Sequence, residues 1–584
     1  MDDLKFSEEF SLSTYRTVQG GPRRQRTIIK GGYMRTTAKD WRALAITGLA
    51  FLICSGPGGA QSVPRLKPVP PTKTTISKAA AAAPAMAIVA SSGSAPSRWQ
   101  TLPNQPPVLD YKDCGPGSPI LLTDGTVLVA DAGCADWWKL TPDAYGNYVN
   151  GTWTQIASTP AGYSPLYHAM AVLPDGRLII EGGEYNQLSP DWTTLGAIYD
   201  PRADKWTMVN PPGGWTTIGD APGVVLPDGT IMLGNCCTPQ AALFNPRDLS
   251  WTPIGTGKFD TNNEEGWTLL PGGRVLTVDA YVPINMPYEP TGTNSEIFDR
   301  TSGAWRSAGS TVSQLWDSWL LCGELSQEPA NGPTFEVGPA VLRPDGTVFY
   351  TGSNTCGPGF PGATAIYDSK RGRWRAGPNF PGSLNIADGP AVLEPSGRVL
   401  MMASPGYGDP PSTFLEWDGE NLRTSEPAPN AANDGSFYGN FLILPSGQIL
   451  FTDFFFVDVY NPPGKYDPQW APQIQSAPRG VRPGGSYVVS GTLFNGMSQG
   501  AAYGDDNQAA TNFPLVRITN KATGHVFYSR THHHSSMAVA YRGPVSTHFD
   551  VPRGQEPGAS ELVVVANGIP SDPVTIFVSQ SDHE

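Results

Sequence analysis

The sequence predicts an all-β protein: seven repeated four-stranded sheets arranged around an axis, followed by a two-sheet sandwich. Three observations carry this prediction. Glycine (66) and proline (58) are abundant among the 584 residues while charged residues make only 16%, a mix that suits short strands joined by tight turns. One hairpin phrase recurs seven times between residues 120 and 453. After Trp470 the phrase stops, and short alternating strands take over.

The chain begins with what reads as address and tether. Arg35, Lys39 and Arg42 precede an apolar run from Ala43 to Ile53, and Gly58-Gly59-Ala60 before Gln61 suits a cleavage site. That is a signal-peptide pattern over residues 34–60, with residues 1–33 an upstream over-extension or a cytoplasmic tail. The apolar run is shorter than the ~20 residues of a membrane span, so no stable span is expected after cleavage; an uncleaved run would be a single N-terminal anchor. Residues 61–96, rich in Pro, Ala, Ser and Thr, read as a flexible linker. The expected location is extracytoplasmic, secreted or periplasmic. The net charge of −13 repels phosphate backbones and argues against nucleic acid as a partner.

Six cysteines remain beyond the cleavage site: Cys114, Cys134, Cys236, Cys237, Cys322 and Cys356. In an exported chain an even count suggests disulfides. Nearness in sequence favours Cys114–Cys134 and Cys322–Cys356, leaving Cys236–Cys237 as an adjacent pair.

The hairpin phrase is an apolar strand, a Pro-Asp-Gly-like turn and a second apolar strand, as in MAVLPDGRLIIEGG (170–183) and FLILPSGQILFTD (441–453). Its turn glycines are Gly125, Gly176, Gly229, Gly273, Gly346, Gly397 and Gly447, spaced by 44 to 73 residues. Asp-Gly between apolar runs is a strong hairpin signal. A second phrase follows most hairpins: an apolar pair with Tyr or Phe, then Asp or Asn, then Trp, as in AIYDPRADKW (197–206) and AIYDSKRGRW (365–374). It adds two strands per repeat. Four strands at a period near 50 residues is the pattern of a kelch-type blade. The last hairpin lacks a tryptophan strand, and SRWQTLPNQPP (97–107) precedes the first. Trp99 is therefore expected to supply the missing strand and remove an open sheet edge. The domain assignments are a seven-bladed kelch-type β-propeller over 97–468 and a C-terminal immunoglobulin-like β-sandwich over 469–584.

This layout resembles the galactose oxidase/glyoxal oxidase superfamily, in which a kelch propeller precedes an early-set immunoglobulin-like domain. The resemblance implies one copper held by two tyrosines and two histidines, with one tyrosine thioether-linked to a cysteine. On that pattern Tyr167, in YHAMAVLPDG, matches the cross-linked catalytic tyrosine, Cys114 its partner, and His532, in THHHSS, the C-terminal histidine. The adjacent Tyr-His pair before the late hairpin is missing: Phe437 and Tyr438 occupy those places.

Other residues suit binding. His532 and His534 would share one face of a strand and could grip a divalent metal, copper or another, with Asp505 and Asp506 of AYGDDNQ, His525 or His548 completing it. Trp137, Trp138 and the Trp316–Trp319 stretch are stacking candidates for a ligand. Glu264-Glu265 and Asp434 stand just before hairpins, where carboxyl groups could meet an axial mouth. Gly496-Met497-Ser498-Gln499-Gly500 matches a nucleophile-elbow pattern without the helix that motif needs. Two functions follow from this reading. One is a non-catalytic module binding a glycan or a protein in the cell envelope or outside. The other is a copper-radical oxidase, or a degenerate relative with an altered metal site.

Overall fold

The computed structural model describes residues 97–107, 114–280, 294–316, 336–353, 361–406, 408–504 and 507–580. The signal and linker segments, Cys322, Cys356, Asp505, Asp506 and Trp319 lie outside them. The described residues are all-β, with two single-turn 3-10 segments, Ser436–Tyr438 and Pro468–Trp470.

Each of the seven repeated hairpins forms the leading two strands of its own antiparallel sheet, and six of these sheets have four strands. In the second sheet the order is Ala169–Val172, Leu178–Glu181, Gly196–Asp200, Lys205–Val209. The turn chemistry repeats with the sequence. Gly176 and Gly447 hold φ of 85° and 84°, a region where a Cβ is costly. The preceding carboxylate caps the turn: Asp124, Asp228 and Asp345 accept from the amides of Thr126, Thr230 and Thr347 at 3.0, 3.0 and 2.9 Å. This is the Asx-turn geometry that makes Asp a turn former.

The second phrase has a matching role. Its Tyr or Phe pairs across strands with the tryptophan: Tyr199 with Trp206, Phe244 with Trp251 and Tyr367 with Trp374 have ring centroids 5.1, 4.9 and 5.0 Å apart. Each indole N–H then reaches towards the preceding repeat. Trp206 Nε1 donates to the Ala157 carbonyl at 2.8 Å, and Trp251 Nε1 to that of Asn210 at 2.7 Å. One residue type thus packs its own sheet and ties it to its neighbour.

Trp99–Thr101 joins the last sheet as its fourth strand, with Trp99 opposite Tyr460. The leading strand of that sheet, Asn440–Ile443, lies against those of both the first and the sixth sheets, Pro116–Leu121 and Pro390–Leu393. The two ends of the repeat array are therefore joined.

Nine further strands between Gln473 and Val578 form one hydrogen-bonded set with its own core of Val489, Phe494, Val516, Phe549, Leu562 and Ile576. One strand leaves this body. Ala501–Tyr503 adds antiparallel to the leading strand of the sixth sheet, with Val392 opposite Ala501 and Pro390 opposite Tyr503. Around it, Gln499 Oε1 accepts from the Leu269 amide at 2.8 Å and Asn507 Nδ2 donates to Asn440 Oδ1 at 2.6 Å. Gln499, Ala501–Tyr503 and Asn507 thus touch leading strands of three sheets.

The histidine run occupies the other end. The amides of Thr531, His534 and Met537 donate to the carbonyls of Thr123, Pro174 and Pro227, which belong to the turns of the first three hairpins. THHHSS therefore does not face the end where the leading strands begin. The chain from Tyr167 to Pro174, seven residues of near-extended backbone, separates the two ends by about 20 Å.

Candidate functional site

The end at which the leading strands begin gathers an aromatic cluster. Tyr167 has a left-handed φ of 52°, uncommon for a tyrosine, and is 5% exposed. Its ring stacks on Tyr503 (6.2 Å, 17°) and meets the edge of Tyr185 (6.3 Å, 61°). Tyr503, carried there by the strand from the C-terminal body, donates its hydroxyl to the Phe437 carbonyl at 2.9 Å. Tyr438, half-buried, packs on Phe437, Phe454 and Phe455 with centroids 4.2, 5.8 and 6.2 Å away. Phe456, which follows Phe455 in sequence, is 38% exposed.

A carboxyl pair lies beside these rings. Asp434 and Asp453 are fully buried and face one another. Asn430 Nδ2 donates to both, at 2.6 and 3.2 Å. The amides of Phe455 and Phe456 donate to Asp453 Oδ1 at 2.9 and 2.5 Å. Burial and then the charge of Asp453 push Asp434 up to about 10. Burial also raises Asp453 and takes Asp458 to about 6. Two carboxylates cannot both stay charged at this separation in a buried place, so the pair keeps a proton at neutral pH. Tyr438 is raised to about 12, by burial and then by Asp434, and remains a hydroxyl.

A second carboxyl group cluster is occupied from within the chain. The Lys258 ammonium, fully enclosed, pairs with Glu265 at 3.0 Å, Asp279 at 3.4 Å, Glu296 at 2.8 Å and Asp260. Glu265, Asp279 and Asp260 converge as metal ligands would, but the lysine supplies the positive charge. Burial raises Glu265 and Asp279 well above the usual carboxylate range, and the Lys258 charge opposes that rise. This is a structural cage, and it accounts for Glu265 of the predicted carboxyl pair.

The remaining sequence candidates separate. Trp137 is 1% exposed and packs on Trp206 at 5.4 Å; it belongs to the core and has no free face for a ligand. Trp138 is half-buried on the same strand, with its Nε1 enclosed and lacking a hydrogen-bond partner among the described residues. Trp316 is also buried. Cys114 and Cys134 form a disulfide. Cys236 and Cys237 bring their sulfurs to 2.6 Å. Ser498 is buried, and its hydroxyl accepts from the Gly500 amide at 3.1 Å; the glycines around it make a turn. His534 is turned away from His532: its Nδ1 contacts Thr547 Oγ1 at 2.9 Å and its ring stacks on Phe513. The two do not share a face, because His533 between them is left-handed, with φ of 53°.

The residues at the aromatic end do not fit a copper-radical centre. The Cys114 sulfur is bonded to Cys134 and has no valence left for a thioether to Tyr167. Phe437 and Tyr438 replace the Tyr-His pair, Tyr503 stacks on Tyr167, and His532 is at the turn end. His168, next to Tyr167 in sequence, is 2% exposed, and burial takes its imidazole down to about 4. Both of its ring nitrogens lack a hydrogen-bond partner among the described residues. With His168 as the one imidazole beside these phenols and carboxyls, the set falls short of the two imidazoles that a copper-radical centre of this kind needs. Tyr185, Tyr503 and Asp453 were not singled out by sequence reasoning as members of one site; the left-handed residue before the second hairpin leaves no sequence signal.

Comparison with known proteins agrees with the repeat. The kelch-like protein terF of Aspergillus terreus is 30% identical over 127 residues, 21% of this chain and 26% of that protein. The match thus spans about a quarter of the relative's length. Over those residues the chain is similar to a kelch-like protein. No family model matches it. Among solved structures, a copper-bound fungal alcohol oxidase of the AA5 family aligns with 82% of this chain and 98% of its own at 14% identity, with a TM-score of 0.46. A streptogramin B lyase aligns with 62% and 97% at 9% identity, with a TM-score of 0.40. These likenesses lend no argument about chemistry.

Proposed function

We propose that the protein is an exported binding module that holds a glycan at the aromatic end of the propeller without transforming it. The observation that carries the reading is the half-buried Tyr438 and exposed Phe456 beside Asn430 and a proton-sharing carboxyl pair. Aromatic rings offer apolar faces to sugar C–H groups, and a few fixed polar groups set orientation. The Cys114–Cys134 disulfide supports an oxidising compartment, in keeping with the signal-like segment. The phenol- and carboxyl-rich donor set favours binding over copper-radical oxidation. The test is titration of soluble oligosaccharides into the protein and into Tyr438→Ala and Phe456→Ala variants. Binding by the parent, lost by about tenfold or more in Tyr438→Ala, is expected. Equal affinity in parent and variants would move the ligand elsewhere, and no saccharide binding by the parent would reject the reading.

A further inference from the structure

The turn end of the propeller carries a cluster of imidazoles that the binding reading does not use. His532 and His548 are directly opposed across an antiparallel strand pair, an arrangement that holds Cβ atoms about 5 Å apart on one face. His533 breaks the strand alternation with its left-handed backbone, and its ring comes back beside the other two. The ring centroids are 4.7 Å apart for His532 and His533, 5.6 Å for His532 and His548, and 5.5 Å for His533 and His548.

Nitrogen placement within this cluster is specific. Nδ1 of His532 faces Nδ1 of His533 in direct contact. Two imidazole nitrogens meet this way when one carries a hydrogen and the other offers its lone pair, or when both lone pairs turn to one metal ion. Nε2 of His532 lies 3.1 Å from Asp550 Oδ1. A carboxylate in that place holds the proton on Nε2 and leaves the Nδ1 lone pair for a ligand, as in carboxylate–histidine–metal arrangements. His533 and His548 are exposed and can turn to converge. The adjoining groove, about 490 Å³, carries Asp175 and Asp200. Its arginines include Arg177 and Arg530, which are paired with Asp175 and Asp550 at 2.7 and 3.3 Å.

We propose that His532, His533 and His548 form a site for a borderline divalent cation of the zinc or copper type. His532 binds through Nδ1, and Asp550 orients it from behind. Three imidazoles with a fourth position left to water or a groove carboxylate is a sufficient set for such an ion. The site bears on docking as well, because the same segment hydrogen-bonds to the hairpin turns at Thr123 and Pro174.

The experiment is calorimetric titration of Zn²⁺ into the untagged protein at pH 7.5, with a chelator competition arm. His548→Gln and His533→Gly are compared with the parent; glycine retains the left-handed backbone at 533. His525→Gln, whose imidazole pairs with Glu556 at 2.7 Å, is the control. The expected result is one zinc per chain, weakened about tenfold or more in each cluster variant and unchanged in the control. Metal-free melting curves identify any variant that has lost its fold, and the remaining variant then carries the comparison. Zinc binding by the parent no tighter than by the His533→Gly/His548→Gln double variant overturns the proposal.

Discussion

The Asp434–Asp453 pair makes the stability of this protein depend on pH in a direction opposite to that of most carboxylates. Asp434 is fully buried and pushed up to about 10 by desolvation and by Asp453, whereas an aspartate in the unfolded chain titrates near 3.9. Between these values the folded state holds one proton that the unfolded state has released. The stability contributed by the protonated pair is fully present below pH ~4 and is lost as pH rises towards ~10. One proton corresponds to a slope of about 1.4 kcal/mol per pH unit. From pH 5 to pH 8 the pair therefore costs about 4 kcal/mol. Asp434→Asn keeps the shape and supplies a permanent hydrogen to Asp453, which Phe455 and Phe456 still cap. Denaturant unfolding of parent and variant at pH 5, 6, 7 and 8 is the assay. The variant's stability should fall less steeply with pH, by about 1.4 kcal/mol per unit. Glu394, raised to about 8 by burial and then by Glu416, acts with the same sign in both proteins and cancels in the difference. Parallel curves would refute the argument, since they would mean that Asp434 is ionised at neutral pH.

Two further outcomes follow from packing. Lys258→Met leaves four acidic groups around an apolar side chain, and loss of about 3–5 kcal/mol at pH 7 is expected, shrinking as the pH is lowered because Glu265 and Asp279, raised by burial, take up protons; chemical denaturation at pH 5 and 7 measures both parts. Trp206→Ala removes a buried indole together with its bond to Ala157 and should cost about 3–5 kcal/mol, read as a shift in denaturation midpoint, whereas Phe at the same place should cost less because much of the ring packing is kept while the inter-sheet hydrogen bond is lost.

The repeats were legible because their signals are local. Asp caps and glycine at positive φ act within four residues, so the seven hairpins could be placed from the sequence alone. The tryptophan phrase was equally readable, since its aromatic partner lies on the next strand. Even the joining of the chain ends by Trp99–Thr101 followed from a missing strand at one end and a spare one at the other. The functional residues obeyed no such rule. Lys258 and its four carboxyl partners span residues 258–296, and nothing in their spacing announces a cage. Trp137, read as a stacking surface, is covered by Trp206 of the next sheet.

The sequence by itself therefore determined the sheets, because hairpin turns, strand alternation and cross-strand aromatic pairs are short-range physics. Only the tertiary structure decided what occupies each end of the propeller. Which strand of the C-terminal body reaches Tyr167 depends on how two surfaces dock. That docking placed Tyr503 there and sent the histidine run to the turns of the first three hairpins. The left-handed backbone at His533 then chose His548 over His534 as a neighbour, since one residue out of alternation moves the next side chain to the opposite face.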